Sequence, residues 1–171
     1  MDTTVRPYRA EDRAAVRRIC YVTGYMGDSP AWYWRDVESF ADLWTRYYTD
    51  EEPESALVAD RGGEVVGYLL GCVDTTRAEG PGSLMRHHAV RRMCLLRPGT
   101  AGVMWRMIAD VVRDSVLGKV PLPVALIDDR WPAHLHIDLL PEARAGGVGR
   151  ALMAAWLERL RSGMVSAKPT L

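Results

Sequence analysis

The stretch Leu139-Leu140-Pro141-Glu142-Ala143-Arg144-Ala145-Gly146-Gly147-Val148-Gly149-Arg150-Ala151-Leu152 sets three glycines between an apolar run and a second, helix-spaced apolar series. The run from His134 to Leu140 reads as a buried-type strand ended by Pro141. Beyond the glycines, Val148, Leu152, Ala155, Trp156 and Leu160 fall on one face of a helix that Gly147 opens and Arg161-Ser162-Gly163 ends. A helix leaves its first amides without internal partners, and its dipole adds positive potential there. Glycines let that backbone curl and let an anion approach with no Cβ in the way. Arg144 and Arg150 bracket the loop and can add charge-assisted hydrogen bonds. These features together predict a pyrophosphate cradle over Arg144, Ala145, Gly146, Gly147, Val148, Gly149 and Arg150.

Spacing narrows the ligand. No lysine follows Gly149, so the loop is not a nucleoside-triphosphate P-loop. A dinucleotide fingerprint belongs near the start of a parallel βαβ unit. Here the loop comes late in the chain and follows an antiparallel hairpin. That hairpin is read from Ala56-Leu57-Val58-Ala59 and Val65-Val66-Gly67-Tyr68-Leu69-Leu70-Gly71-Cys72-Val73 around the turn at Gly62-Gly63. Gly67 and Gly71, inside the second strand, point to a bulge or a close backbone approach.

Upstream, Thr3 to Tyr8 reads as a strand. Ala15, Val16, Ile19 and Cys20 then follow helical spacing behind the acidic pair Glu11 and Asp12, with Arg13, Arg17 and Arg18 off the stripe and Gly24 as a stop. The aromatic-rich segment from Tyr25 to Tyr48 is expected to be largely helical, because Val37, Phe40, Leu43 and Trp44 recur at three and four. It is read as core or as a lid over a cleft. Between Thr75 and Trp131 the expectations are an amphipathic helix carrying Met104, Trp105, Ile108, Val111, Val112 and Val116, and an extended connection at Pro121, Pro123 and Pro132. A solvated basic stretch is expected around Arg86, His87, His88, Arg91, Arg92 and Arg97. Met85, Met93, Met104, Met107 and Met153 read as gap-filling core residues.

The 171 residues suit one domain spanning 1–171. Hydrophobic residues at 48% and charged residues at 26% are ordinary for a globular protein. Lys+Arg and Asp+Glu both total 22, so the net charge is zero and there is no basic footprint for nucleic acid. Any grip on an anion must then come from local geometry. Cys20, Cys72 and Cys94 form no Cys-x-x-Cys pair and read as buried thiols of a reducing compartment. No signal layout opens the chain, and no apolar run approaches the roughly 20 residues that span a bilayer. The expectation is a cytoplasmic protein without membrane or metal.

Arg144-x-x-Gly147-x-Gly149, with Pro141 three positions earlier, resembles the coenzyme A signature Gln/Arg-x-x-Gly-x-Gly/Ala of the GNAT N-acetyltransferase superfamily. The order of strand, helix, linker, hairpin, then signature strand and helix is similar too. The long insertion and Pro132-Ala133-His134-Leu135-His136-Ile137-Asp138-Leu139-Leu140-Pro141 are similar to bacterial members related to the acetyltransferase-like domain of O-GlcNAcases. The resemblance implies an α/β fold of the α+β type: a mixed, mostly antiparallel sheet flanked by helices. It also implies acetyl-coenzyme A as co-substrate, a primary amine as acceptor, pantetheine pairing with the strand at Ile137 and Leu139, and pyrophosphate on the amides of Arg144 to Gly149.

The family continues past its signature helix with further strands and an Asn…Tyr…Gly-Phe helix whose tyrosine protonates the leaving thiolate. Nothing after Gly163 matches that pattern. The resemblance therefore carries the expectation of a fold lacking its final strands, with an open edge that invites self-association. A catalytically silent binding module is the alternative reading. For the base that must deprotonate the acceptor, alternation puts His134, His136 and Asp138 on one strand face. Asp138 and His136 are the candidates, although both histidines read first as hydrogen-bonded packing residues.

Overall fold

The computed structural model describes residues 2–78, 96, 98–119 and 130–166. Arg86, His87, His88, Arg91, Arg92 and Arg97 of the basic stretch, with Met85, Met93, Cys94, Pro121 and Pro123, lie outside the described residues.

Strands β1 (Thr3–Pro7), β2 (Ala56–Arg61), β3 (Glu64–Cys72) and β4 (His134–Leu139) form one antiparallel sheet in the order β1-β2-β3-β4. The hairpin turn is Gly62-Gly63, with φ of +64° and +93°, the left-handed pair that a two-residue turn requires. Both glycines in β3 have the roles read for them. The register between β2 and β3 shifts between Ala59 and Asp60, so Val66 is the extra residue beside Gly67. At Gly71 an added Cβ would stand 2.3 Å from the Trp156 ring.

Helix α1 (Arg13–Thr23) begins after a 3-10 turn, Ala10–Asp12. Asp12 ties that start to the sheet: it accepts from the Arg9 amide at 2.8 Å and from both Arg6 terminal nitrogens at 2.7 and 2.9 Å. Arg6 Nε also donates to Asp60 at 2.9 Å. Val16, Ile19 and Cys20 are buried as the spacing requires, and Gly24 caps the helix. Arg17 departs from expectation. It is buried and bridges to helix α2 (Val37–Arg46), donating to Asp42 at 2.5 Å, to the Glu38 carboxylate and, at 3.0 Å, to the Glu38 carbonyl. A guanidinium can sit at a helix–helix seam when each donor finds an acceptor there.

The aromatic segment is less helical than expected. Pro30–Trp32 is a 3-10 turn, and α2 is followed by a π-turn at Tyr47–Glu51. Helix α3 (Ala101–Val116) forms as read, yet only Met104 of its apolar stripe is buried, and Trp105, Val112 and Val116 are exposed. Helix α4 (Val148–Ser166) runs past the expected stop at Gly163.

The layers follow from strand alternation. Tyr68 and Asp138 face α1 and α2, whereas Gly67, Gly71 and Leu139 face α4. Val148, Leu152 and Trp156, spaced four apart, seal the α4 side of the core. Gly71→Ala forces a methyl into the Trp156 indole and is expected to cost about 1–3 kcal/mol. The readout is a lower urea midpoint at unchanged slope. Gly102→Ala in α3, where an added Cβ meets nothing within 4 Å, is expected to raise the midpoint.

Candidate active site

The Leu140 amide donates to Val66 O at 2.9 Å, which makes Leu140 and Val66 a hydrogen-bonded pair. Such pairs alternate along an antiparallel ladder, so Asp138 and His136 also spend their main-chain groups on β3. Ile137 and Leu139 therefore turn their amides and carbonyls to the other edge of β4, which pairs with no strand among the described residues. These are the two residues expected to meet an extended ligand.

The glycine loop continues from that edge. Ala145 and Gly147 have φ of +64° and +77°, a curl that points successive amides into one concavity. The Ala151 amide makes the first α4 bond, to Gly147 O at 3.0 Å. Among the described residues, the amides of Ala145 to Arg150 donate to no other group. An added Cβ at Gly146 or Gly147 would meet nothing within 4 Å. Open space and unpaired donors coincide, and the site fits a diphosphate. Gly149 has a second role, because its missing Cβ would touch the Leu139 side chain at 3.4 Å, so helix α4 closes directly on β4.

Arg144 is used differently from the reading of the loop alone. Its Nε donates to Leu139 O at 3.1 Å and its Nη2 to Gly27 O at 3.0 Å, while its amide closes the 3-10 turn on Pro141 O. It straps the loop to the tight turn after α1, where Met26 and Gly27 have positive φ. Arg150 is exposed on the first turn of α4.

On the other face of β4, Asp138 and His136 enter one cleft of about 240 Å³ between the sheet, α1 and α2, shared with Phe40, Trp44, Tyr68 and the Gly27 turn. The buried Tyr68 hydroxyl donates to Asp138 Oδ2 at 2.5 Å. Burial raises the Asp138 carboxyl above the usual range, against the opposing pull of Tyr68, Thr23 and Arg144. Cys20 lies beside the Tyr68 hydroxyl, and burial pushes its thiol up to about 12, so it is inert as a nucleophile. Cys72 is likewise buried and free.

His136 packs against the Trp44 and Tyr48 rings at 5.5 and 5.4 Å, and burial lowers its pKa. His134 belongs to a separate chain. The Thr75 hydroxyl gives its single proton to Pro132 O at 2.6 Å, so at 2.7 Å it accepts from His134 Nδ1–H. Nε2 then accepts from the Tyr48 hydroxyl at 2.9 Å. His134 is the hydrogen-bonded packing residue that was expected, and His136 lines the cleft. Among the described residues, no group of three metal-ligating side chains gathers.

Tyr68, Thr23 and the Gly27 turn were not singled out as site residues by the sequence. The available signal was Tyr68 as a polar-tipped residue in an otherwise apolar strand, and it acquires meaning only once β3 is in register with β4.

No protein-family model matches the chain. Among solved structures, SsHAT superposes with a TM-score of 0.67 at 32% identity, over 95% of this chain and 78% of that one. An N-acetyltransferase from Staphylococcus aureus Mu50 superposes with a TM-score of 0.51 at 16% identity, over 91% and 75%, a likeness of fold. A GNAT family acetyltransferase from Brucella melitensis in complex with acetyl-CoA aligns at 15% identity over 95% and 70%, with a TM-score of 0.49.

The raised Asp138 pKa has a signed consequence. An unfolded Asp titrates near ~3.9, and between that value and the higher folded one the folded protein holds the extra proton. Wild-type stability therefore falls as pH rises through this window. Asp138→Asn removes the titration but keeps an acceptor for Tyr68. The stability of Asp138→Asn minus that of wild type is expected to grow as pH rises from about 4, in paired denaturant titrations. A difference that stays constant would mean that folding leaves this carboxyl unperturbed.

Proposed function

The chain belongs to the GNAT family of acyltransferases, and from that premise we propose that it transfers an acetyl group from acetyl-coenzyme A to a primary amine. The observation that carries the proposal is contiguity. A cluster of unpaired amides at Ala145 to Arg150 adjoins the open edge at Ile137 and Leu139, and Asp138 enters a cleft from the same strand. A diphosphate suits the amides through the helix dipole and charge-assisted bonds. The Ile137 amide and carbonyl and the Leu139 amide suit the two amide groups of a pantetheine arm, as an added strand would. The Leu139 carbonyl is reserved for Arg144.

The thioester supplies an electrophilic carbonyl, and the chain's own residues supply the base and its setting. An amine arrives protonated near neutral pH and cannot attack in that form. Asp138 takes the first proton, and burial brings its pKa towards the range in which a carboxylate works as a base. Tyr68 and Thr23 steady the carboxylate, which lines the cleft where the amine would sit. His136, kept neutral by burial, lines the same cleft as a second proton acceptor. The nitrogen lone pair forms the new C–N bond as the C–S bond breaks, and the sulfur leaves with the bonding electrons. The second proton shed by nitrogen balances the one that sulfur takes up.

Isothermal titration with coenzyme A tests the cradle. Gly146→Val and Gly147→Val each place a branched side chain where the chain itself leaves space. Each is expected to weaken binding by about ten-fold or more, the worth of one charge-assisted bond. Binding equal to wild type in both variants would remove the diphosphate from this loop. In steady-state acetyl transfer, Asp138→Asn is expected to lower kcat by roughly 100- to 10,000-fold.

A further inference from the structure

The cleft beneath Asp138 holds an uneven set of groups. Among the described residues lining it, Asp138 is the one carboxyl, and the walls are Phe40, Trp44 and Tyr68. Phe40 and Tyr68 are buried, whereas Trp44 is 42% exposed and stands at the opening. Its ring is steadied by Phe40 at 6.3 Å and His136 at 5.5 Å. Met26, which lines the cleft, is 95% exposed, and the residue before it, Tyr25, clusters with Trp32 and Tyr33, ring centroids 4.6–5.6 Å apart. Charge at the mouth is mixed: Arg144 donates to Gly27 O at 3.0 Å, Gly27 lines the cleft, and the next residue, Asp28, is exposed.

We infer that the acceptor is a small arylalkyl monoamine, its ammonium on Asp138 and its ring against Trp44. This rests on the acetyl-transfer reading above and names the substrate class for the same site. Charge and size support the choice. A single ammonium finds a single carboxylate, and aromatic faces favour both a cation and a second ring. A polyamine needs a carboxylate for each further charge, and the described lining of the cleft holds Asp138 alone. The volume of about 240 Å³ lies just below the ~300–1,000 Å³ of pockets for drug-sized ligands, which suits one ring on a short tether. His136, kept neutral, adds no repulsion.

The test compares kcat/KM for phenethylamine, methylamine and spermidine at saturating acetyl-coenzyme A. Phenethylamine is expected to lead each of the others by about ten-fold or more. Trp44→Ala is expected to shrink the preference for phenethylamine over methylamine by about two- to ten-fold. Met26→Glu alters a fully exposed side chain and is expected to narrow the gap between phenethylamine and spermidine, because it places a carboxylate at the mouth. Equal or preferred acetylation of spermidine or methylamine overturns the acceptor class and leaves acetyl transfer standing. So does a Trp44→Ala or Met26→Glu protein with unchanged ratios. No transfer to any of the three amines, or no binding of coenzyme A, overturns the acetyl-transfer reading and the acceptor class with it.

Discussion

The closeness of β3 to β4 is the constraint on which the site depends. Gly67 stands opposite Leu139 in a non-hydrogen-bonded pair, the narrower kind, and an added Cβ there would lie 2.2 Å from the Leu139 side chain. With no side chain at Gly67, Leu139 folds down onto β3, and Gly149 then settles on Leu139 from the other side. One side chain held between two glycines sets the distance from sheet to helix α4. It therefore sets where the unpaired amides of that helix begin. The same register brings Tyr68 opposite Asp138 on the far face. A shift by one residue would invert both faces of β4 at once, placing Asp138 under α4 and Leu139 in the cleft.

The anion affinity proposed for the glycine loop needs no excess of positive charge, consistent with 22 basic and 22 acidic residues. It would come from main-chain dipoles that the fold leaves unpaired and aligned. The cost is strain at Ala145, a non-glycine residue in the left-handed region, worth on the order of 1 kcal/mol. Arg144, the obvious cation of the loop, strengthens the scaffold instead, because it joins β4, the loop and the turn after α1 through two carbonyls. Its charge still reaches Asp138 and opposes part of the upward push of burial on that carboxyl.

The buried polar groups divide by partner. Arg17 is matched by Asp42 and Glu38 and fixes α1 against α2, the two helices that wall the cleft. Buried ion pairs of this kind contribute little net stability but penalise any arrangement that separates them. Among the described residues, Asp138 has no cation directly on it. Burial raises its carboxyl, and its neutral hydroxyl partner opposes that only in part, whereas Asp12, gripped by Arg6, is held low.

Read alone, the sequence determined the elements whose periodicity is strong: the hairpin around Gly62-Gly63, the stripe of α1, the strand from His134, and the glycine turn into a helix at Val148. It also determined that Ile137 and Leu139 share one orientation and Asp138 and His136 the other, because alternation along a strand is a local property. Only the tertiary structure decided that Arg17 is buried, that the α3 stripe stays exposed, that Arg144 reaches Gly27, and that Tyr68 meets Asp138. Those pairings join residues far apart along the chain, up to 117 positions for Arg144 and Gly27. Local propensity ends within a few residues, and which distant surfaces meet is chosen by how the whole core packs.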